Sequence, residues 1–480
     1  MMQELKRTTA VNIGFNGMAV LTVSALQFAT NIILARILLP EDYGIVGFAL
    51  IFVNFMTYFS DFGIGTALIQ KADAEDDLLY TGFALKILFS IVAFLVVFSI
   101  APLSRFFNES KEITSAIQML SLGFLISIFA FLPQVTLMRE LRYRELSYPL
   151  VIGAVVSSIS AIALAYSGFG FRSIIAGYLV NSVGVAVVLN ITRPVRFRLR
   201  YGREQARHLL RFGSHLLLPG MITFIILNAD NFAIGAIRGI EQLGYYAMAF
   251  NWGTLVCILL AGIVHQVLFP TFSKLQHDLK AMKIAYLESL RYVAFIAVPF
   301  NFFLLLLGRE FLYHLLGGNT ERWLPALLTL QVLCIYGVFR ALLEPLANVI
   351  TGIGKPRLYI KATLLAAVMQ LALIFPAIKY AGIVGVAMLV AVSYVSQYFI
   401  YLPILRREID VSITEVLGTV RPALLAFLAS MPIVVLLKIR FESSLPVMAV
   451  EILIGGAGYF VIYGLLTKWQ IVKEMREIVR

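Results

Sequence analysis

The chain has 480 residues, of which 60% are hydrophobic and 14% charged, with a formal charge of +12. That composition excludes a water-soluble globular domain, which carries nearer a quarter of its residues as charges. The apolar residues gather into some fourteen runs of roughly the 20 residues that cross a bilayer, so the chain is expected to be an all-α polytopic membrane protein.

In chain order the runs predict spans at about 11–34, 44–68, 79–101, 114–137, 147–166, 171–191, 209–236, 244–270, 286–307, 323–350, 358–379, 381–403, 416–437 and 446–467. The first follows Lys6 and Arg7 but is too long for a signal-peptide core and lacks a small-residue cleavage site, so it is read as retained. It ends at Arg36, after which Pro40, Glu41 and Asp42 suit the first turn of the next helix, where the dipole is positive. Gly63 and Gly65 loosen span two, and Pro133, Pro219, Pro270, Pro299, Pro345 and Pro376 lie within or near the ends of others. Each proline removes a backbone hydrogen bond and favours a kink.

Charge placement orients the spans. With a cytoplasmic amino terminus, the loops and span ends on that side hold 27 of the 39 Lys and Arg and the opposite side holds 10, leaving Lys86 and Arg340 inside spans. This bias argues against nucleic acid as the reason for the basic surplus. It predicts both termini in the cytoplasm and an even number of crossings. The stretch from Arg193 to Gly213 carries seven Arg, suited either to anchoring among anionic headgroups or to gathering a phosphate-bearing headgroup.

The chain repeats itself. Asn31, Glu41, Gly44 and Ala49 recur as Asn231, Glu241, Gly244 and Ala249, an offset of 200, and PQVTLM from Pro133 recurs as PLANVI from Pro345, an offset of 212. Six spans separate the copies, so the repeats are parallel. The expected organisation is a six-helix lobe over 1–192, a basic cytoplasmic linker over 193–208, a second six-helix lobe over 209–405, and two additional helices with a tail over 406–480. The lobes would flank a central cavity.

Catalytic signatures are absent: the chain has no glycine-rich phosphate loop, metal-spaced His/Cys cluster or nucleophile elbow. Cys257 and Cys334 fall inside spans and are expected as packed free thiols. No cofactor or metal is expected, and coupling to an H+ or Na+ gradient stays open.

An unpaired charge at mid-bilayer costs about 2.5–3.5 kcal/mol on insertion scales, so the buried charges are the candidate functional residues. Lys86 either snorkels to the headgroups or faces a cavity. Arg340 has Glu344 one turn later on the same helix face, forming either a structural pair or one that opens to substrate. Asp61 and Asp230, the latter beside Asn231, are candidates for ion coupling or for hydrogen bonds between helices, and His265 for titration near neutral pH. Arg36 joins the set near the outer mouth. Tyr58, Phe62, Phe250, Asn251 and Trp252 are expected on spans that line the cleft, either as packing or as stacking platforms.

The strings LARILLPEDYGIVGFALI, SDFGIGTALIQ, NADNFAIGAI, LGYYAMAFN and LFPTFSKLQHD resemble the polysaccharide transporter family of the multidrug, oligosaccharidyl-lipid and polysaccharide exporter superfamily. The likeness is to Wzx-type flippases and to colanic-acid and teichuronic-acid exporters. It runs from the first span to about residue 360. It implies alternating access that moves undecaprenyl-diphosphate-linked oligosaccharide from the inner to the outer leaflet of a bacterial inner membrane, alongside polysaccharide polymerase machinery. Lys86 and Arg340 would then meet the diphosphate, which competes with Glu344 for Arg340, and Arg36 would hold phosphate near the outer mouth in the outward-facing state. Two other classes compete: a cation-coupled multidrug antiporter, expected to use a carboxylate-rich cavity, and a membrane polymerase or glycosyltransferase, expected to need larger outer loops than these. The chain is accordingly read as a transporter and not an enzyme.

Overall fold

The computed structural model describes the backbone of residues 2–70, 76–106, 110–471 and 474, and the side chains of these except for 2–14, 16, 218, 263–267, 269, 270 and 356. The helices are α1 (Met2–Ile37), α2 (Pro40–Asp61), α3 (Ile64–Gln70), α4 (Asp76–Ile100), α5 (Lys111–Arg139), α6 (Tyr143–Tyr166), α7 (Phe171–Thr192), α8 (Arg203–Ile237), α9 (Ile240–Lys274), α10 (Leu279–Leu306), α11 (Gly308–Glu310), α12 (Leu327–Gly352), α13 (Pro356–Ile409), α14 (Ile413–Arg440) and α15 (Leu445–Leu466). No strand occurs among the described residues.

Thirteen of these segments are long and apolar enough to cross a membrane, one of them running from Arg357 to Ile409. A straight helix of that length would reach about 80 Å, more than twice the hydrocarbon core. Gly382, at φ 59° and ψ −143°, reverses the chain instead. A Cβ on Gly385 would stand 2.4 Å from the Ala377 carbonyl oxygen, and Gln370 Nε2 donates to Ser393 Oγ at 2.7 Å, 23 residues away. Segment α13 is therefore a hairpin of two spans, which brings the crossings to fourteen as the hydropathy pattern predicts.

Packing divides the chain into two compact units, Met1–Gly244 and Tyr245–Arg480. In the first, α1 lies on α6, α6 on α7, and α5 against α2, α4 and α7, while α8 packs on α2, α3 and α4. The first packing unit thus takes in α8, which the repeat pattern assigns to the second set of six helices. In the second, α10 contacts α12 and α14, α12 contacts α13, and α14 contacts α15.

Lipid removes most of the hydrophobic drive between spans, so close approach and dispersion hold them together. Small residues supply it: a Cβ on Gly177 of α7 would meet the Ala161 Cβ of α6 at 2.9 Å. Around the end of α2, Ile64, Leu68, Leu78, Leu85, Val135 and Leu209 form one buried cluster that ties α8 to α3, α4 and α5. Leu95, Ile159 and other large apolar side chains stay exposed on outward helix faces, suited to hydrocarbon rather than water.

The repeat is also visible as a contact. A Cβ on Gly44 would lie 1.9 Å from the Ile240 carbonyl oxygen, and one on Gly244 would lie 1.8 Å from that of Pro40. The two copies of the acidic turn therefore pack reciprocally, each glycine against the backbone four residues before the other. Only glycine permits this approach.

Candidate functional site: a polar cavity at the break in span two

Helix α2 stops because Phe62 and Gly63 both take left-handed backbone, at φ 43° and 66°. The Phe62 N–H still bonds the Tyr58 carbonyl at 3.0 Å, its ring stacks on Phe89 at 4.9 Å, and α3 resumes one residue after Gly63. A non-glycine residue in this region costs about 1–2 kcal/mol and is held by its surroundings. Gly213 of α8 fits under the break, where a Cβ would lie 1.9 Å from the Phe62 carbonyl oxygen. Broken helices at membrane depth are tolerated where they line a cavity.

A cavity of about 530 Å³ opens here, lined by Asn54, Thr57, Tyr58, Asp61, Gly63, Thr66, Leu216, Leu217 and Phe224. Asn54, Thr57, Tyr58 and Asp61 project from one face of α2 at spacings of three and four residues. The Tyr58 ring meets Phe224 edge-on at 5.8 Å.

Lys86 is placed behind this surface. It is 3% exposed, and its ammonium lies 2.5 Å from Asp61 Oδ1 and 3.2 Å from Ser60 Oγ, which in turn shares a hydrogen bond with Ser90. The cation sits at the C-terminal end of α2, where the helix dipole is negative. Asp61 is 58% exposed. The charge presented to the cavity is therefore the carboxylate, with the lysine as its buried counter-charge.

Arg340 belongs to the second unit. Its guanidinium donates to the Tyr336 hydroxyl at 3.1 Å and lies over the rings of Tyr336 and Tyr394, at 5.9 and 5.6 Å to their centroids. These rings meet edge-on at 5.1 Å. Two aromatic faces thus hold the cation in a way that the i,i+4 pattern with Glu344 did not anticipate. Trp252, expected on the cleft, is 5% exposed and donates to Met248 Sδ, a packing role.

The other candidates are dispersed. Asp230 in α8 is 7% exposed and accepts from the backbone and side-chain nitrogens of Asn231 at 2.8 and 3.3 Å. Arg36 is exposed in the last turn of α1, where a cation complements the dipole. The His265 side chain lies outside the described residues. Cys257 and Cys334 are free and buried, and among the described residues no group of three or more His, Cys, Asp or Glu could hold a metal.

The basic linker is pinned at both ends. Arg193 bonds Glu140 at 2.5 Å, Arg200 bonds Asp77 at 2.6 Å, and the Gly202 N–H donates to Thr81 Oγ1 at 3.1 Å. The Asp77 carboxylate raises the Arg200 guanidinium further above its ordinary value. Beyond it, Arg203, Arg207 and Arg211 follow at four-residue intervals along exposed positions of α8. The polar stripe of Asn54 and Thr57, together with the tyrosines around Arg340, was missed from sequence. A count of polar side chains sharing one helical face of an apolar span would have found the stripe.

The fold first defines a class. Over 97% of this chain and 99% of the other, it matches the structure of "Lipid II flippase MurJ, inward closed conformation" with a TM-score of 0.74 and 14% identity, so the two share a polytopic fold. Residues 33–327 match the family model described as polysaccharide biosynthesis protein, and the chain belongs to that family. Relatives include the lipopolysaccharide biosynthesis protein WzxC of Escherichia coli strain K12, 23% identical over 80% of this chain and 78% of the relative. The succinoglycan biosynthesis transport protein ExoT of Rhizobium meliloti strain 1021 is 23% identical over 99% of this chain and 96% of the relative.

Proposed function

We propose that this protein flips undecaprenyl-diphosphate-linked oligosaccharide from the inner to the outer leaflet of a bacterial inner membrane by alternating access. The observation that carries the reading is the cavity at the break of α2, where polar groups gather inside an otherwise apolar bundle of a polysaccharide biosynthesis protein. Flipping such a lipid requires a polar path for sugar and diphosphate, while the polyprenyl chain stays in lipid. The relative named a succinoglycan biosynthesis transport protein supports the same reading. The bias of 27 to 10 basic residues supports cytoplasmic termini. The protein acts as a transporter rather than an enzyme, delivers its cargo to a polysaccharide polymerase, and draws on an H+ or Na+ gradient or on downstream polymerisation.

The test is movement of fluorescent undecaprenyl-diphosphate oligosaccharide in proteoliposomes, read by an impermeant quencher. Intact protein should exchange the lipid between leaflets, and Arg340→Gln should slow it by about tenfold, the loss of one charge-assisted contact. Arg340→Lys should not restore the rate, because an ammonium lacks the planar contact with Tyr336 and Tyr394. No movement under any imposed gradient would end this reading. One observation favours a second: Asp61 faces the cavity, as a cation antiporter would require. Uptake of a small organic cation in place of the lipid would establish that alternative.

A further inference from the structure

We infer that the cavity at the break of α2 is a glycan subsite, shaped for an uncharged or amine-bearing sugar and closed to an acidic one, with the diphosphate bound elsewhere. This rests on the flippase reading and deepens it. The first reason is charge. Among the described residues no cation lines this cavity: Lys86 lies behind it, 3% exposed and committed to Asp61 and Ser60, while the Asp61 carboxylate is 58% exposed. A diphosphate or a sugar carboxylate entering here would meet a negative group with its counter-charge behind it.

The second reason is hydrogen-bonding character. Thr57 donates its hydroxyl proton to the Val53 carbonyl at 3.0 Å, which leaves its oxygen as an acceptor towards the cavity. Asp61 has Oδ1 on Lys86 and a second oxygen that can only accept. Asn54 adds an acceptor and two donors. An acceptor-rich row along one helix face matches the hydroxyl protons of a pyranose, since a carboxylate can take two neighbouring hydroxyls at once.

The third reason is shape. Tyr58 is 39% exposed and its ring is braced by Phe224, which gives the cavity an aromatic wall of the kind against which the C–H side of a sugar ring packs. The cavity's 530 Å³ falls within the range of about 300–1,000 Å³ usual for small-ligand sites.

The experiment uses the full chain in proteoliposomes with two synthetic probes, undecaprenyl diphosphate carrying glucose and the same lipid carrying glucuronic acid. Intact protein should move the glucose lipid at least tenfold faster. Tyr58→Ala should slow the glucose lipid, and Asp61→Asn should narrow the gap at least fivefold by raising movement of the glucuronate lipid. Because Asp61→Asn strands the buried lysine, Asp61→Asn with Lys86→Met is measured alongside, and it too should narrow the gap. Binding of sugar-free undecaprenyl diphosphate, followed by thermal shift, should be unchanged in the double variant.

Equal rates for the two probes in intact protein, or a double variant that keeps the full preference, would overturn the subsite. So would a double variant that loses affinity for the sugar-free diphosphate, because the cavity would then hold the phosphates. Movement of neither probe by intact protein would instead remove the flippase reading on which the subsite rests.

Discussion

Asp61→Asn is expected to lower the stability of the solubilised protein by about 2 kcal/mol, read as a fall of several degrees in its melting temperature. Lys86 is 3% exposed and would lose its counter-charge at membrane depth, keeping only neutral acceptors such as the Ser60 hydroxyl and the new amide oxygen. Breaking a fully buried ion pair costs about 3–5 kcal/mol, and the smaller figure reflects an aspartate more than half exposed. Pairing the change with Lys86→Met should recover most of the loss, since a neutral, unbranched side chain of similar length packs beside Phe131 without needing a counter-charge. If the single and double variants melted together, the lysine would not depend on Asp61.

Gly44→Val should trap the protein away from the state described here. The Cβ atom would overlap the Ile240 carbonyl oxygen, and Gly244→Val would do the same at Pro40. Neither obstacle is a flexible side chain, so the starts of α2 and α9 must separate. A cost of about 1–3 kcal/mol for such overpacking shifts the population about five- to 150-fold towards arrangements in which these turns are apart. The readout is a cysteine at Ala49, fully buried in the native chain, labelled by a water-soluble maleimide in detergent-solubilised protein. Labelling should rise steeply and lipid movement should fall by about tenfold or more; unchanged labelling would show that the contact is not a latch.

These two predictions differ in how far the sequence anticipates them. Gly44 and Gly244 stand out because the chain repeats around them at an offset of 200, and their contact is the repeat made physical. Lys86 and Asp61 also stand out as charges in apolar runs, but nothing in their positions, 25 residues apart, says which of them a cavity meets. That depends on the rotation of α4 against α2 and on a helix break set by two left-handed residues, of which only Gly63 signals itself. Arg340 is similar: Glu344 is its neighbour along the helix, whereas Tyr394 comes from α13 and becomes a neighbour only through packing.

The features that the bilayer dictates locally are legible in the letters of the chain. Bilayer thickness sets the length of each apolar run, surface charge sets which loops are basic, and duplication leaves its offset in the letters. Even the hairpin within α13 follows from length, because no single helix of that size fits one crossing. Which face each helix turns to its neighbours, and hence that the lysine is buried, the aspartate displayed and the arginine set between two tyrosines, is settled by packing in three dimensions. The reason is that spans apolar on all sides carry little periodicity to orient them, so close approach at small residues, read only in three dimensions, makes that choice.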